Sequence, residues 1–536
     1  MRHLILSVIV LLTGDVWGQT NRYFVFFKDK NNSPYSISDP DLFLTQKSIA
    51  RRLKAGVSVS VEDLPVNSSY VSQVKALGVE TYFTSKWWNG VLVQANVSKV
   101  SAIQSLPFVL KIEFVAPGTL LIGGRQSSPA KGNQSESRNA QNDFQLQQLQ
   151  LDKMQQDGYR GEGVDVAQFD SGWRGVNLAG PFQHLVQEGR IKSVFNFVKN
   201  TANVYSDDDH GTEVLSVMGA LSPSSFIGGV YKANFHLFET EDKLTEYRIE
   251  EYNWAFAAER ADSLGIDVIN SSLGYSTFDD PAMDYTIFDL TGKKAVVTIT
   301  ARKAVEKGMI VVTSAGNDGN NSFWKFITTP ADGEGVIAVG STTSMGVKSS
   351  FSSIGPTTDL RIKPDAVALG SGTAVIRSDG SIGSASGTSF ASPLVACLAA
   401  GLVQAFPTSS PFQIYQAIIR SASIYKTPNN QLGYGIPNFT IAKSYLTYGD
   451  LKDDVSIFPN PISTSNLNLL FKEPAGQQVS VTIFDLYGKV VSDATAEINW
   501  SNNPLQYNFT NLPNGVYILR IKSDRINLTT RLVKTD

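Results

Sequence analysis

The sequence has few cysteines and histidines, and its positive and negative charges nearly balance. Its 536 residues include one cysteine, Cys397, and four histidines, and the formal net charge is -3. One cysteine cannot form an intrachain disulfide, so stability has to come from packing or from bound ions. A charge so close to zero gives no electrostatic basis for binding nucleic acid or an anionic membrane. We therefore expect neither a disulfide scaffold nor a nucleic-acid partner.

The sequence also lacks the short motifs of two other hydrolase classes. Neither a Gly-x-Ser-x-Gly elbow nor a His-Glu-x-x-His zinc motif occurs. Beyond the N-terminus we expect no segment long and apolar enough to span a membrane. The hydrophobic fraction is 42% and the charged fraction 18%, which is typical of a globular chain, and the length predicts several domains.

The N-terminus has the pattern of a secretory signal. Arg2 lies in a short basic region, and residues 4–12 form an apolar run that is too short to cross a bilayer. Val16 and Gly18 suit the two small-residue positions of a cleavage site. We expect a signal peptide over residues 1–18 and Sec-dependent export. The alternative is a buried N-terminal strand.

Residues 19–124 combine short strand and helix patterns. The predicted strands are residues 23–27, 79–83, 90–95 and 109–115, and the predicted helices are residues 42–55, 69–77 and 97–106. Helices packed on a small antiparallel sheet form an α+β unit of the kind that serves as an intramolecular inhibitor or folding helper. We expect this unit to be a prosegment.

A polar stretch follows this unit. Residues 123–142 are rich in Gly, Ser, Asn, Gln and Arg and contain almost no large apolar side chain, and we place a linker at residues 125–143. Such a composition is typical of an exposed, cleavable linker. An ordinary loop between two permanent domains is the alternative.

Residues 144–448 alternate strand and helix patterns. The predicted strands are residues 164–169, 235–238, 268–270, 309–313 and 336–339, and predicted helices include residues 252–261 and 301–307. This alternation predicts an α/β fold with a parallel sheet covered by helices on both faces. Functional side chains are then expected at the carboxyl ends of strands, where Asp170 and the segment 314–317 lie.

Three segments far apart in the chain centre on an aspartate, a histidine and a serine. They are Asp170-Ser171-Gly172, His210-Gly211-Thr212 and the heptapeptide from Gly387 to Pro393. A hydroxyl becomes a good nucleophile when a base takes its proton, and the base needs a carboxylate to orient it. Unrelated folds build this arrangement in different chain orders, so the order Asp, His, Ser is itself informative.

In these motifs, residues 144–448 closely resemble the subtilisin-like serine peptidases, the subtilases. The three segments match the family's aspartate, histidine and serine motifs, and Ser314-Ala315-Gly316-Asn317 matches the segment that carries the oxyanion asparagine. Residues 269–274 are similar to the strand that pairs with the substrate backbone, and residues 361–365 to a structural segment. Four motifs in the correct order rarely arise by chance. The resemblance implies the subtilisin-like parallel sheet and a hydrolase.

The resemblance also implies a role for each matched residue. The implied roles are nucleophile for Ser389, general base for His210, orienting carboxylate for Asp170, oxyanion donor for Asn317, and substrate-backbone binding for Ser272, Leu273 and Gly274. It implies no cofactor for the chemistry. Structural calcium is common in the family, but the sequence maps no ligand for it, and we predict no metal ligand.

Three of these residues also have purely structural interpretations. Ser389 precedes an apolar run that predicts a long buried helix with Pro393 in its first turn, so the serine could simply cap this helix. Asn317 stands in Gly-Asn-Asp-Gly, a strong turn sequence, and Asp170 precedes Ser-Gly. The structural and the catalytic interpretations can hold together.

Two further features receive no catalytic role. The acidic run 207–209 precedes His210 and could favour basic substrate residues, raise the histidine pKa or bind calcium, but such a run is more often a solvated loop. Cys397 lies in the apolar run after Ser389, so we expect a buried, inert thiol.

Residues 452–536 have the pattern of a small all-β sandwich, with short strands separated by turns. They resemble the C-terminal sorting domain of the Bacteroidetes type IX secretion system in four features: a Phe-Pro-Asn-Pro start, a Tyr-Gly-Lys turn, a Gly-Val-Tyr segment and a terminal strand with lysine. The resemblance implies transport across the outer membrane and removal of the domain. A carbohydrate- or protein-binding module, using Trp500 or Tyr507, is the alternative.

These inferences together predict a secreted or cell-surface serine endopeptidase that is made as a zymogen. It would hydrolyse peptide bonds in proteins through an acyl-enzyme. Its expected partners are protein or peptide substrates and the type IX secretion machinery. The alternative is a catalytically silent subtilase fold that serves in binding or adhesion.

Overall fold

A computed structural model of the chain describes residues 20–118, 142–222, 225–448, 454–462, 466–471, 477–498, 505–509 and 512–535. They form an N-terminal α+β unit, a central α/β unit and a C-terminal all-β unit, as the sequence predicts. The predicted signal peptide, residues 1–18, lies outside the described residues. So does the predicted linker 125–143, except for its last two residues.

The N-terminal unit is a four-stranded antiparallel sheet with three helices. Its strands are β1 (Thr20–Phe27), β2 (Glu80–Ser85), β3 (Gly90–Asn96) and β4 (Val109–Pro117), in the order β2-β3-β1-β4, and its helices are α1 (Gln46–Ala55), α2 (Ser68–Lys75) and α3 (Val97–Gln104). Every element predicted for this unit forms. Helix α1 begins later than the predicted residue 42 because Thr45 caps it, with Thr45 Oγ1 accepting a hydrogen bond from Ser48 N at 3.2 Å.

The central unit is built on a seven-stranded parallel sheet. The strands of the central unit, including four outside this sheet, are β5 (Asp165–Asp170), β6 (Ile191–Asn196), β7 (Leu221–Ser222), β8 (Phe226–Ile227), β9 (Asn234–Glu239), β10 (Val268–Ser271), β11 (Ile310–Ser314), β12 (Ile337–Thr342), β13 (Ala366–Leu369), β14 (Thr373–Ile376) and β15 (Ile382–Ala385). The sheet order is β13-β12-β11-β10-β5-β9-β6, while β7 with β8 and β14 with β15 form separate antiparallel pairs. The predicted α/β fold with a parallel sheet is confirmed.

The described part of the central unit also contains nine α-helices. They are α4 (Asp143–Gln148), α5 (Leu151–Gln156), α6 (Gln183–Gln187), α7 (His210–Gly219), α8 (Ile249–Leu264), α9 (Val296–Glu306), α10 (Thr388–Ala405), α11 (Pro411–Arg420) and α12 (Phe439–Tyr448). Side chains alternate along the central strands between two apolar clusters. Val268 and Val312 face the cluster that contains α7 and α10, whereas Ile269 and Val311 face the one that contains α8 and α9. The sheet is therefore buried on both faces, as parallel sheets require.

The helix α10 corrects one sequence expectation. It has 18 residues and a mean hydropathy of 1.5, so by length and composition it could cross a membrane, contrary to our expectation for the chain beyond the N-terminus. However, 89% of it is buried inside the protein. It is the apolar core helix that packs against strands β10 to β13.

The C-terminal unit consists of two antiparallel sheets. Its strands are β16 (Val455–Phe458), β17 (Asn466–Phe471), β18 (Gln477–Phe484), β19 (Val490–Ile498), β20 (Leu505–Asn508), β21 (Gly515–Lys522) and β22 (Asn527–Lys534). The sheet orders are β16-β17-β20 and β19-β18-β21-β22. Residues of both sheets, such as Leu469 and Val481, meet in one apolar cluster. The unit is therefore a small β-sandwich, as predicted.

Candidate active site

The predicted site residues lie at the ends of neighbouring elements of the central sheet. Asp170 is the last residue of β5, residues 272–274 follow the end of β10, and residues 315–317 follow the end of β11. These three strands are adjacent in the sheet. The helices α7 and α10 begin at His210 and at Thr388, next to Ser389. The topology thus brings these segments to the carboxyl edge of one sheet, where α/β folds form their sites.

Asp170 and His210 are in direct contact. His210 Nδ1 donates a hydrogen bond to Asp170 Oδ1 at 2.7 Å, and the Asp170 carboxylate is fully buried. Asp170 also accepts hydrogen bonds from Ser171 N at 2.9 Å and from Gln168 Nε2 at 3.3 Å. A buried carboxylate with these donors fixes the imidazole ring, and its contact with Nδ1 leaves Nε2 as the nitrogen available for proton transfer.

The charges around His210 favour its protonated form. Burial lowers the pKa of His210, but the charge and the hydrogen bond of Asp170 outweigh burial, and the pKa rises to about 9. The carboxylates of Asp208 and Glu213 contribute to this increase in pKa. The imidazole can act as a base only after it loses this proton, so this electrostatic environment favours activity at alkaline pH.

Ser389 forms a reciprocal pair with Ser272. Ser389 Oγ donates a hydrogen bond to the Ser272 carbonyl at 3.3 Å, and Ser272 Oγ donates to the Ser389 carbonyl at 2.9 Å. The second bond follows from the position of Pro393. We predicted this proline in the first turn of α10, but it is the sixth residue of the helix. Proline has no N–H to donate to the carbonyl four residues earlier, which is that of Ser389. The Ser272 hydroxyl supplies the missing donor.

His210 lies beside Phe390, the residue that follows Ser389, but it is not hydrogen-bonded to Ser389. Within the described residues, Ser389 Oγ makes no hydrogen bond to His210. The ring of Phe390, the next residue, lies 5.7 Å from the His210 ring, centroid to centroid. Catalytic hydrogen bonds are often absent or long in unliganded sites and form when substrate binds. The structure therefore joins Asp170 to His210 and brings Ser389 to the same edge.

Asn317 is held by the residue before Ser389. Asn317 Oδ1 accepts hydrogen bonds from Thr388 N at 2.8 Å and from Thr388 Oγ1 at 3.0 Å. Thr388 Oγ1 in turn accepts from Gly316 N at 3.3 Å. These bonds occupy the amide oxygen of an otherwise exposed side chain and leave Nδ2 without a partner among the described residues. Sequence reasoning did not identify this role of Thr388, although the residue lies inside the predicted serine motif.

The three residues predicted to bind the substrate backbone differ in their surroundings. Ser272 is buried and bonded to Ser389 as described above. The Leu273 carbonyl accepts a hydrogen bond from Ser314 Oγ at 3.1 Å. Gly274 is exposed, and a Cβ at this position would collide with the Thr328 hydroxyl. Of the three, Gly274 is the residue that faces solvent and has room only for a bare backbone.

The acidic run and the cysteine have structural surroundings. Asp207 pairs with Lys199, Asp208 with Lys243 at 2.7 Å, and Asp209 with Arg174 at 2.6 Å; Asp208 also accepts a hydrogen bond from Ser171 Oγ at 2.8 Å. Cys397 is a buried free thiol, as predicted, and burial raises its pKa. A thiol that remains protonated is a poor nucleophile.

A parallel sheet covered by helices, with a carboxylate, an imidazole and a hydroxyl at its carboxyl edge in the chain order Asp, His, Ser, has the arrangement of a serine hydrolase, and this chain order differs from that of the α/β-hydrolase fold. The family comparison identifies it further. The model of the "Subtilase family" matches residues 161–435, just over half of the sequence, and the chain belongs to this family.

Individual proteins show the same similarity. Subtilisin NAT of Bacillus subtilis subsp. natto is 29% identical over 304 residues, which cover 56% of this chain and 70% of that protein. Subtilisin DY of Bacillus licheniformis is 30% identical over 278 residues, which cover 51% of this chain and 89% of that protein. Among solved structures, the MycP3 protease from the type VII (ESX-3) secretion system has a TM-score of 0.48 and 20% identity, covering 58% of this chain and 90% of that one.

Two further matches identify the flanking units. Residues 22–134 match the "Peptidase S8 propeptide domain, Bacteroidota", and residues 456–535 match the "Secretion system C-terminal sorting domain". The chain is therefore a subtilisin-like serine endopeptidase with a propeptide and a type IX sorting domain, directed to the cell surface or the extracellular space. The predictions of a subtilase, a prosegment and a C-terminal sorting domain are confirmed.

Proposed function

We propose that this peptidase cleaves protein substrates through an acyl-enzyme formed on Ser389. The observation that carries the proposal is the 2.7 Å hydrogen bond between His210 and the buried Asp170, at the sheet edge where Ser389 lies. Ser389 Oγ turns from the Ser272 carbonyl to His210 Nε2 and gives up its proton as it attacks the scissile carbonyl carbon. Asp170 stabilises the resulting imidazolium.

The second half of the scheme uses the same groups. His210 returns its proton to the leaving amine, the peptide bond breaks, and an ester on Ser389 remains. Water then attacks this ester, with His210 again taking and returning the proton. Apart from the substrate and water, every group in these steps belongs to the chain, so the scheme requires no cofactor.

The oxyanion that forms on the carbonyl oxygen would be bound by two donors. One is Asn317 Nδ2, because the amide oxygen is already held by Thr388. The other is the backbone N–H of Ser389, the second residue of α10, since the first N–H groups of a helix have no intrahelical acceptor. We further propose that residues 272–274, at the end of β10, pair with the substrate backbone.

We also propose that residues 19–124 keep the enzyme inactive until they are released by cleavage within residues 125–143. The contact between this prosegment and residues 144–448 is extensive: Phe24 stacks on Tyr252 at 4.4 Å, centroid to centroid, and Trp88 Nε1 donates a hydrogen bond to Thr300 Oγ1 at 2.9 Å. We propose residues 1–18 as the signal peptide and residues 452–536 as the sorting domain.

The charges at this contact are buried and paired. Asp262 of α8 is fully buried and pairs with Arg51 at 2.6 Å, with Arg52 at 2.7 Å and with Lys86 at 2.8 Å. Nearby, the Glu259 carboxylate accepts hydrogen bonds from Lys86 N at 2.7 Å and from Trp87 N at 3.1 Å. Because Arg51 and Lys86 form ion pairs only with Asp262 among the described residues, and Arg52 shares Asp262 with Asp63, separation of the two units requires hydration of Asp262 and of at least two cations.

A fluorophosphonate probe, which reacts with activated serine hydroxyls, tests the proposal. We expect the processed wild-type protein to be labelled and Ser389→Ala to remain unlabelled. The control Ser381→Ala removes an exposed hydroxyl and should be labelled like the wild type. Processed wild-type protein that does not react would show that Ser389 is not an activated nucleophile.

A further inference from the structure

Tyr275 directly follows residues 272–274 and belongs to none of the motifs found in the sequence. Gly274 is exposed, whereas Tyr275 is 1% exposed, so the chain passes from the surface into the core between these two residues. The Tyr275 ring stacks on the ring of Phe278, with centroids 6.2 Å apart and planes 8° apart. A buried tyrosine usually finds a partner for its hydroxyl, and here the partners of Tyr275 come from two different segments of the site.

The backbone of Tyr275 is paired with Thr329. Tyr275 N donates a hydrogen bond to the Thr329 carbonyl at 2.8 Å, and Thr329 N donates to the Tyr275 carbonyl at 3.0 Å. Thr329 Oγ1 donates to the same carbonyl at 3.1 Å. The neighbouring Thr328 N donates to the carbonyl of Ala315, two residues before Asn317, at 3.1 Å. The backbone of Tyr275 is therefore connected to the segment that carries the proposed oxyanion donor.

The hydroxyl of Tyr275 is connected to the other part of the site. It donates a hydrogen bond to Glu241 Oε1 at 2.6 Å, and this oxygen also accepts from Thr240 Oγ1 at 2.7 Å. Thr240 N in turn donates to the backbone carbonyl of Asp170 at 3.1 Å. Burial and the charge of Glu241 raise the pKa of Tyr275 well above its ordinary value, so the hydroxyl remains a donor. It joins the segment after β10 to the residue that orients His210.

We infer that Tyr275 and Glu241 are positioning residues that hold Gly274 in place for an extended peptide substrate. The inference rests on the proposed pairing of residues 272–274 with the substrate backbone. Gly274 has no side chain to anchor it, and a Cβ there would collide with Thr328, so its position depends on the anchored residue that follows. A hydrogen bond from a hydroxyl to a carboxylate is among the stronger ones in proteins, which suits it to this role.

The consequence depends on the length of the substrate. A peptide with several residues before the scissile bond would pair with residues 272–274 in the ground state and in the transition state alike. A less firmly held Gly274 should therefore raise KM and leave kcat unchanged. An ester of a single N-acetylated amino acid reaches Ser389 with little of this pairing, so its hydrolysis should not depend on Tyr275.

The test is steady-state kinetics of the processed enzyme on such a peptide and such an ester. The assays are run at pH 8.5, where Glu241 is ionised, because burial raises its pKa only to about 7. We expect Tyr275→Phe to raise KM for the peptide about 3–10-fold, since only part of the free energy of a hydrogen bond to a charged group reaches the substrate. The kcat for the peptide and both constants for the ester should stay unchanged.

A matched control and a second variant accompany this test. Tyr285→Phe removes a similar bond, from a buried tyrosine hydroxyl to Glu251 Oε2 at 2.7 Å, and should behave like the wild type on both substrates. Glu241→Gln retains an acceptor oxygen for Tyr275 and Thr240, so it should raise the peptide KM by less than Tyr275→Phe does. This variant supplies the same test if Tyr275→Phe fails to mature.

The possible results separate the inference from the function on which it rests. An unchanged peptide KM in both Tyr275→Phe and Glu241→Gln would overturn the inference. So would equal losses on the peptide and the ester, or the same rise in KM in Tyr285→Phe, because these would indicate a general loss of stability. A wild type that gains nothing from the longer substrate would contradict the proposed backbone pairing as well, and a wild type that does not react with the fluorophosphonate probe would contradict the role of Ser389.

Discussion

The contact between Thr388 and Asn317 gives a prediction whose size can be derived from the hydrogen bonds. Thr388→Val keeps the shape of the side chain and removes its hydroxyl. The variant loses the 3.0 Å bond to Asn317 Oδ1 and the acceptor of Gly316 N, but it keeps the 2.8 Å bond from Thr388 N. Asn317 would therefore stay in place with less restraint on its amide.

Each lost hydrogen bond is worth about 1 kcal/mol net, and about 1.4 kcal/mol corresponds to a tenfold change in rate. Part of the 2 kcal/mol is recovered through the remaining bond, so we expect kcat to fall about 5–10-fold. KM should stay unchanged, because the oxyanion exists only in the transition state. Asn317→Ala removes the donor itself and should lower kcat by about 10²–10³, the range measured for such a donor in this family.

The assay is steady-state kinetics of the processed enzyme on a peptide substrate, with both single variants and the double variant. If Thr388 acts through Asn317, the double variant should be no slower than Asn317→Ala alone. Thr373→Val, which removes a buried hydroxyl bonded to the Leu369 carbonyl at 3.2 Å, is the matched control. A Thr388→Val variant with wild-type kcat, or fully multiplicative effects in the double variant, would refute this reasoning.

Three other outcomes follow from the same structure. Because the pKa of His210 is raised to about 9 and the imidazole must be neutral to act, kcat/KM should rise with pH above 7; Asp208→Asn should move this limb to lower pH in a pH–rate profile, while Asp209→Asn should move it less. Asp262→Asn leaves the buried Arg51 and Lys86 without the carboxylate they pair with and leaves Arg52 with Asp63 alone, which costs about 3–5 kcal/mol, and limited proteolysis in the Ser389→Ala background should then remove the prosegment faster than in the parent. Burial raises the pKa of Asp262, but Lys86, Arg51 and Arg52 outweigh burial and lower it to about 2, so these pairs should persist down to about pH 4 and weaken only as the pH approaches 2. Ser389→Ala alone should leave a longer, unprocessed species on a gel when it is produced in a host that lacks other proteases, and normal shortening would argue against self-cleavage.

The sequence predicted the elements that carry strong periodicity or a motif and missed those that depend on tertiary partners. The strand ending at Asp170 carries the apolar residues Val166, Ala167 and Phe169, and the structure has it at β5. The edge strand β6 was missed because the exposed Lys192 and the half-buried Ser193 interrupt its apolar pattern. The strand β13 was missed because it has only four residues and follows Pro364 closely.

Buried charge was the hardest feature to predict. The basic face of α1 is evident in the sequence, but Arg52 is only 1% exposed, because it meets Asp262 and Asp63 from more distant segments. The reciprocal pair of Ser272 and Ser389 was equally hidden, since it depends on the position of Pro393 within α10 and on the approach of β10. Local pattern shows that a residue is charged or polar, and only the fold shows what neutralises it.

Mass spectrometry of a trapped intermediate tests the central proposal most directly. The processed enzyme is mixed with a slowly deacylated ester substrate, quenched in acid and digested. We predict a mass increase equal to the acyl group on the peptide that contains Ser389, and no such adduct in His210→Ala. Continued hydrolysis by the wild type with the acyl group on another residue, or with no adduct at all, would contradict the account.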